Sequence, residues 1–181
     1  MNNFLSEIKE IVNAINNSPK DKRYFLSGGC SNLANYFTPT FIEKEGKIEF
    51  ALFIFAEEEW DVEQINKIMN RSNKEKLNNL ITDEIILIDH IAILHEGMIY
   101  DGNGVHEKNV YTEKFMLANT FMRTIKFGKN DFVEDFLSSV RQTHIFGNDN
   151  PTHTKRKISK LMNQVRKPKS EYIECNNFSY K

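Results

Sequence analysis

The sequence lacks most of the features that would take it out of the class of ordinary globular domains. No apolar run approaches the roughly 18 residues that a bilayer-spanning helix requires, so no transmembrane segment is expected. The N-terminus has no basic region followed by an apolar block, so no secretory signal is expected either. Only two cysteines, Cys30 and Cys175, stand in 181 residues, too few for a disulfide scaffold. A reducing cytoplasm is the expected compartment, where Cys30 stays a free thiol. The formal net charge of −1 gives the chain as a whole no attraction for nucleic acid. Arginine is scarce beside lysine, and Lys, Asn and Ile abound, a bias common in AT-rich bacterial or phage genomes. A phage protein would work in the cytoplasm of its bacterial host. Repeats and low-complexity tracts are absent.

What is present is enough apolar residue, 40% of the chain, to build a real core. Residues 3–17 carry Phe4, Leu5, Ile8, Ile11, Val12 and Ile15 at helical spacing, which predicts an amphipathic helix. A loop is expected up to Ser27, then a short helix from Cys30 that Thr38-Pro39 closes. Residues 48–56 are apolar at nearly every position and predict a strand covered on both faces. Residues 61–80 predict a helix with Val62, Ile65, Ile68 and Met69 inward. Residues 84–88 and 90–95 read as strands or one long strand, Glu96-Gly97 as a hairpin turn, and 98–101 as the returning strand. Beyond 110 the pattern is mainly helical, with helices over 130–142 and 154–166 and a loop from Gly147 to Pro151. The sum is an α+β fold: a Cys-bearing helix packed on a small antiparallel sheet, plus N- and C-terminal helices. Residues 1–150 are expected to form the α+β domain. Residues 151–181 are expected to form a basic helix and tail docked on it.

The chemistry concentrates in Ser27-Gly28-Gly29-Cys30 and in the hairpin from Asp89 to Asp101. A thiol attacks well only as thiolate, and a helix N-terminus favours that form through its unpaired N–H groups and dipole. Gly28 and Gly29 allow close approach of a substrate to the backbone, and the Cys30 N–H can serve as an oxyanion donor. A two-residue turn at Glu96-Gly97 sets His95 opposite Met98, Leu94 opposite Ile99, Ala92 opposite Asp101 and His90 opposite Asn103. Alternation then puts His90, Asp101 and Asn103 on one face, where either Asp101 or Asn103 can orient the imidazole. His95 points to the other face, so His90 and His95 cannot share a metal ion without a bulge. No metal and no cofactor are expected. The Gly-Gly pair also lacks the following Lys-Ser/Thr of a phosphate cradle.

These residues resemble the papain-like superfamily, and within it the transglutaminase-like and related bacterial or phage cysteine hydrolases. In those families a G-x-C-x-x-x-A helix start precedes a strand-borne His and an Asp on the next strand. Gly28, Cys30 and Ala34 match the first element, His90 the second, and Asp101 in Tyr100-Asp101-Gly102 the third. The resemblance spans roughly residues 24–104. It implies a papain-like core and a cysteine peptidase, amidase or acyltransferase working on a peptide or isopeptide-type amide through a Cys30–His90–Asp101 triad. A protein or peptide is the implied substrate. The papain-type oxyanion glutamine is missing, with Tyr24 and Phe25 at its place, so the second oxyanion donor is unassigned.

A different reading starts from Lys155, Arg156, Lys157, Lys160, Arg166, Lys167 and Lys169, which follow one another without an acidic residue between them. Such a helix is either the solvated outer face of a docked element, with Glu57-Glu58-Glu59 as an internal counterpart, or a contact surface for an acidic protein or nucleic acid. In the second case the chain is a non-catalytic interaction protein, for example a phage or mobile-element product that binds and inhibits a host factor.

Overall fold

The computed structural model describes residues 3–56, 59–71, 74–83, 85–143 and 151–166. Glu57, Glu58 and the side chain of Glu59, the loop residues 147–150, Lys167, Lys169 and Cys175 lie outside what it describes. The elements run α1 (Asn3–Asn16), α2 (Pro19–Leu26), α3 (Cys30–Glu45), β1 (Lys47–Phe55), α4 (Glu59–Arg71), α5 (Lys74–Thr82), β2 (Ile88–His95), β3 (Met98–Asp101), β4 (Gly104–Glu107), α6 (Lys108–Phe115), β5 (Thr120–Gly128), α7 (Val133–Thr143) and α8 (Pro151–Arg166). The fold is α+β, with one five-stranded antiparallel sheet in the order β4-β3-β2-β1-β5 and helices at both ends of the described chain.

The interior strand β1, between β2 and β5, is buried on both faces, as its continuous apolar run requires. Phe50, Leu52 and Ile54 join the main core beside Ile11 and Ile15 of α1, Phe37 and Phe41 of α3, and Phe136 and Val140 of α7. Ala51 and Phe53 face the other way, into a smaller cluster with Ala92, Ile99 and Tyr111 of α6. Ile158, Leu161 and Met162 of α8 are buried in the main core, so this helix is docked on the same body as α1 and α3.

Several elements depart from the sequence expectation. A helix, α2, occupies the stretch expected as loop; Ser18-Pro19 opens it and the Ser18 hydroxyl donates to Asp21 at 2.6 Å. Its signal is weak because only Phe25 of its eight residues is buried. Helix α3 does not stop at Pro39 but runs to Glu45 and ends on Gly46 in the left-handed conformation (φ 68°). An internal proline costs about 3 kcal/mol, while Phe37 and Phe41, both fully buried, contribute about 1.5–3 kcal/mol each; burial wins. The stretch expected as one helix over 61–80 is two, α4 and α5. Finally, β5 is a strand where helix was expected. It pairs with the whole of β1, and Phe121, Ile125 and Phe127 alternate along it.

Strand β2 begins at Ile88, with Ile85 and Leu87 exposed before it rather than in a strand over 84–88. Its pairing with β1 passes from Phe53↔His90 to Ile54↔Ile88, so Asp89 is an extra, bulged residue. Because neighbouring strands run antiparallel, the start of β2 and the end of β3 lie at one end of the sheet. That end carries His90 and Asp101.

Candidate active site

The turn between α2 and α3 holds Cys30 as the first residue of α3. Its two glycines have separate reasons. Gly28 has φ 108°, a conformation that L side chains rarely adopt. Gly29 lies so close to α2 that a Cβ there would meet the Tyr24 carbonyl oxygen at 2.8 Å, and its own N–H donates to that oxygen at 3.2 Å. The backbone beside Cys30 is thereby pinned to α2. Helix α8 buttresses the same spot: Lys157 Nζ sits 4.5 Å above the Tyr24 ring and 3.4 Å from Asp21 Oδ1.

The hairpin has the expected register, Leu94↔Ile99 and His95↔Met98. His95 packs on Phe41 of α3, on the opposite face from His90. His90 packs on Phe53, and its Nε2 lies 2.8 Å from Asp101 Oδ2. The Cys30 thiol is the imidazole's other hydrogen-bond partner. Three residues some 60 and 11 positions apart in sequence thus form one chain, Cys30–His90–Asp101.

Asn103 takes a different place from the one its ladder position implied. The chain turns at Gly102-Asn103 into β4, with Asp101 opposite Gly104, so Asn103 is not a cross-strand neighbour of His90. It secures Asp101 instead: its backbone N–H donates to Oδ1 at 2.8 Å, the local bond that makes Asp favourable in such turns. Its side-chain amide reaches Oδ2 and the Tyr111 hydroxyl, each at 3.4 Å.

Tyr111 is the site residue that the sequence did not disclose. It is buried, and its hydroxyl donates a short hydrogen bond to Asp101 Oδ2, the same oxygen that holds His90. Burial, and then the Asp101 charge, push its ionisation well above the ordinary tyrosine range, so the phenol remains a donor. Asp101 itself is 1% exposed and needs these donors in place of water.

The electrostatics favour a protonated His90. Burial alone presses His90 toward the neutral form. The Cys30 negative charge, the bond to Asp101, the bond to Cys30 and the Asp101 charge together overcome it and hold the imidazole's pKa at about 10, up from 6.5. The arrangement therefore favours the protonated imidazole between Cys30 and Asp101.

A groove of about 290 Å³ opens against this end of the sheet, lined by Leu26, Phe53, Asp89, His90, Asn103, Tyr111, Lys114, Phe115 and Leu117. Cys30 is 2% exposed and does not itself line the groove; His90, to which it is bonded, does. The exposed side chains of Leu87, Met116 and Leu117 belong to the same end of the sheet, where Phe55 N–H bonds the Leu87 carbonyl and Ala56 N–H bonds Asn119. Among the described residues no group of three His, Cys, Asp or Glu is placed to hold a metal ion, and no helix is long and apolar enough to cross a membrane.

Comparison of the chain with protein-family models, with curated proteins and with solved structures finds no match.

Proposed function

We propose that this protein is a thiol hydrolase or acyltransferase that acts on an amide bond, of the kind its papain-like and transglutaminase-like resemblance implies. The observation that carries the reading is the Cys30–His90–Asp101 chain, with the His90 Nε2 to Asp101 Oδ2 bond at 2.8 Å and the thiol on the imidazole's other side. A buried core cysteine needs neither partner.

In this mechanism the Cys30 thiolate attacks the carbonyl carbon, and the carbonyl π pair moves onto oxygen. The backbone N–H of Cys30, ahead of the first helical hydrogen bond from Leu33 to Gly29, stabilises that oxyanion. The intermediate collapses, the C–N bond breaks, and His90 delivers its proton to the departing amine. Water or a second amine then attacks the thioester with His90 as base, releasing the acyl group and restoring the thiol. Asp101 fixes the ring's tautomer and orientation throughout. The mainly apolar groove favours a peptide-type donor with an apolar group beside the scissile carbonyl.

The test is trapping of the acyl-enzyme. Intact mass measurement of protein mixed with an activated ester is expected to show one acyl group on Cys30, absent in Cys30→Ala. Acylation elsewhere, or none, contradicts the reading.

A second reading rests on α8. Lys155, Arg156 and Lys160 are exposed and, with Thr152, Ser159, Asn163 and Gln164, line a second depression. We propose this face as a contact for an acidic protein or nucleic acid, which needs no enzyme. Lys157 is committed inward to Asp21 and Tyr24. Loss of salt-sensitive binding to a polyanion in the Lys155→Ala, Arg156→Ala, Lys160→Ala triple variant supports it; unchanged binding contradicts it.

A further inference from the structure

We propose that the Ser31 hydroxyl is the second oxyanion donor for acyl transfer at Cys30, an assignment that rests on the nucleophile reading above. Ser31 directly follows the nucleophile in the first turn of α3. It is 1% exposed, yet its Oγ has no hydrogen-bond partner. Buried hydroxyls without a partner are rare because desolvation is not recovered. Most serines near a helix start bond the backbone as caps, but α3 is capped by Gly29, which has no side chain to offer.

The surroundings give the unused donor a task. Residues 30–34 are all buried, so the α3 N-terminus is plugged into the protein at the end of the sheet that bears His90 and Asp101. The helical ladder begins with Leu33 N–H to the Gly29 carbonyl, which leaves the Ser31 N–H ahead of it as well. The positive end of the helix and an unpartnered buried O–H are therefore both found in the turn that carries Cys30, and such donors suit a substrate oxygen that gains negative charge there. The other hydroxyl of this helix that lies on the buried side, Thr38, is spent on the Ala34 carbonyl at 2.9 Å. The glutamine that supplies this donor in papain-type enzymes is missing here, so a donor from the nucleophile's own helix fills the gap.

The step has a distinct requirement. When the Cys30 sulfur attacks an ester carbonyl, the S–C bond forms and the π pair becomes an oxyanion that needs donors. The pair then re-forms C=O as the C–O bond breaks and the alkoxide or phenolate leaves. Alkylation by iodoacetamide displaces iodide from carbon in one step and forms no oxyanion. Both reactions need the same thiolate; only acylation needs Ser31.

The experiment uses the full chain in a Cys175→Ser background. Acylation by p-nitrophenyl acetate, followed as release of p-nitrophenolate, and alkylation by iodoacetamide are measured for the parent and for Ser31→Ala. The expected result is acylation slowed by about 10²-fold with alkylation unchanged. Equal acylation rates in parent and variant overturn the assignment of Ser31 while leaving Cys30 as nucleophile. A parallel fall in both rates also overturns it, since that marks a disturbed thiolate. A parent protein inert to both reagents overturns the nucleophile reading itself, and the failure then appears before any change at Ser31.

Discussion

His90 is bonded through Nε2 to Asp101 Oδ2 at 2.8 Å, and the same ring is a hydrogen-bond partner of the Cys30 thiol. One ring thus spans a carboxylate at the end of β3 and a sulfur at the start of α3. The two sides hold the ring in a single orientation and both favour its protonated form.

The first consequence is a titration far from the ordinary histidine range. The imidazole is held at about 10 against its usual 6.5. A base whose value is raised in the folded protein stabilises the fold when protonated. That contribution is complete below about pH 6.5 and disappears as pH rises through about 10. Ring-proton NMR is expected to show His90 titrating near pH 10 in the native protein and lower in Cys30→Ala, where burial remains and the sulfur charge is gone. The same ordinary value in both proteins contradicts the coupling.

Asp101→Asn keeps the side chain's size and removes its charge. The amide cannot favour the imidazolium, and its NH₂ can turn toward His90 and impose the wrong tautomer. Acylation of Cys30 is expected to fall by about 10³- to 10⁴-fold, measured with an activated ester. A loss under tenfold removes Asp101 from the mechanism.

Tyr111→Phe leaves the ring in place and withdraws the hydroxyl from a carboxylate that is 1% exposed. Stability is expected to drop by about 1–3 kcal/mol in urea unfolding, with the fold retained. No change in the unfolding midpoint contradicts the claim that this phenol replaces water for Asp101.

Gly29→Ala tests how Cys30 is pinned. The added Cβ would sit 2.8 Å from the Tyr24 carbonyl oxygen, which belongs to helix backbone and cannot swing aside. A loss of about 1–3 kcal/mol is expected, with slower modification of Cys30 because α3 must shift. An alanine tolerated without either effect contradicts the close α2–α3 approach.

The hairpin was legible in the sequence because a Glu-Gly turn and strict alternation fix register, and register fixes faces. His90 and Asp101 could therefore be placed on one face from spacing alone. Asn103 was misplaced because the ladder was extended past Asp101, whereas a carboxylate that captures the N–H two residues on bends the chain away. Tyr111 was hidden: a lone tyrosine in an eight-residue helix carries no local sign that its hydroxyl meets a carboxylate ten residues back. Pro39 misled because local helix cost is visible in sequence and the burial of Phe37 and Phe41 that offsets it is not. Strand β5 had a period-2 signal in Phe121, Ile125 and Phe127, broken by Arg123 on the same face of a half-exposed edge strand.

The central claim is that Cys30 is a nucleophile poised by His90. Its most direct test is the rate at which iodoacetamide alkylates Cys30 near neutral pH, in a Cys175→Ser background, with His90 intact and with His90→Ala. The account predicts rapid alkylation in the first protein and a loss of tenfold or more in the second. Slow alkylation that is indifferent to His90 would make Cys30 an ordinary core thiol and contradict the account.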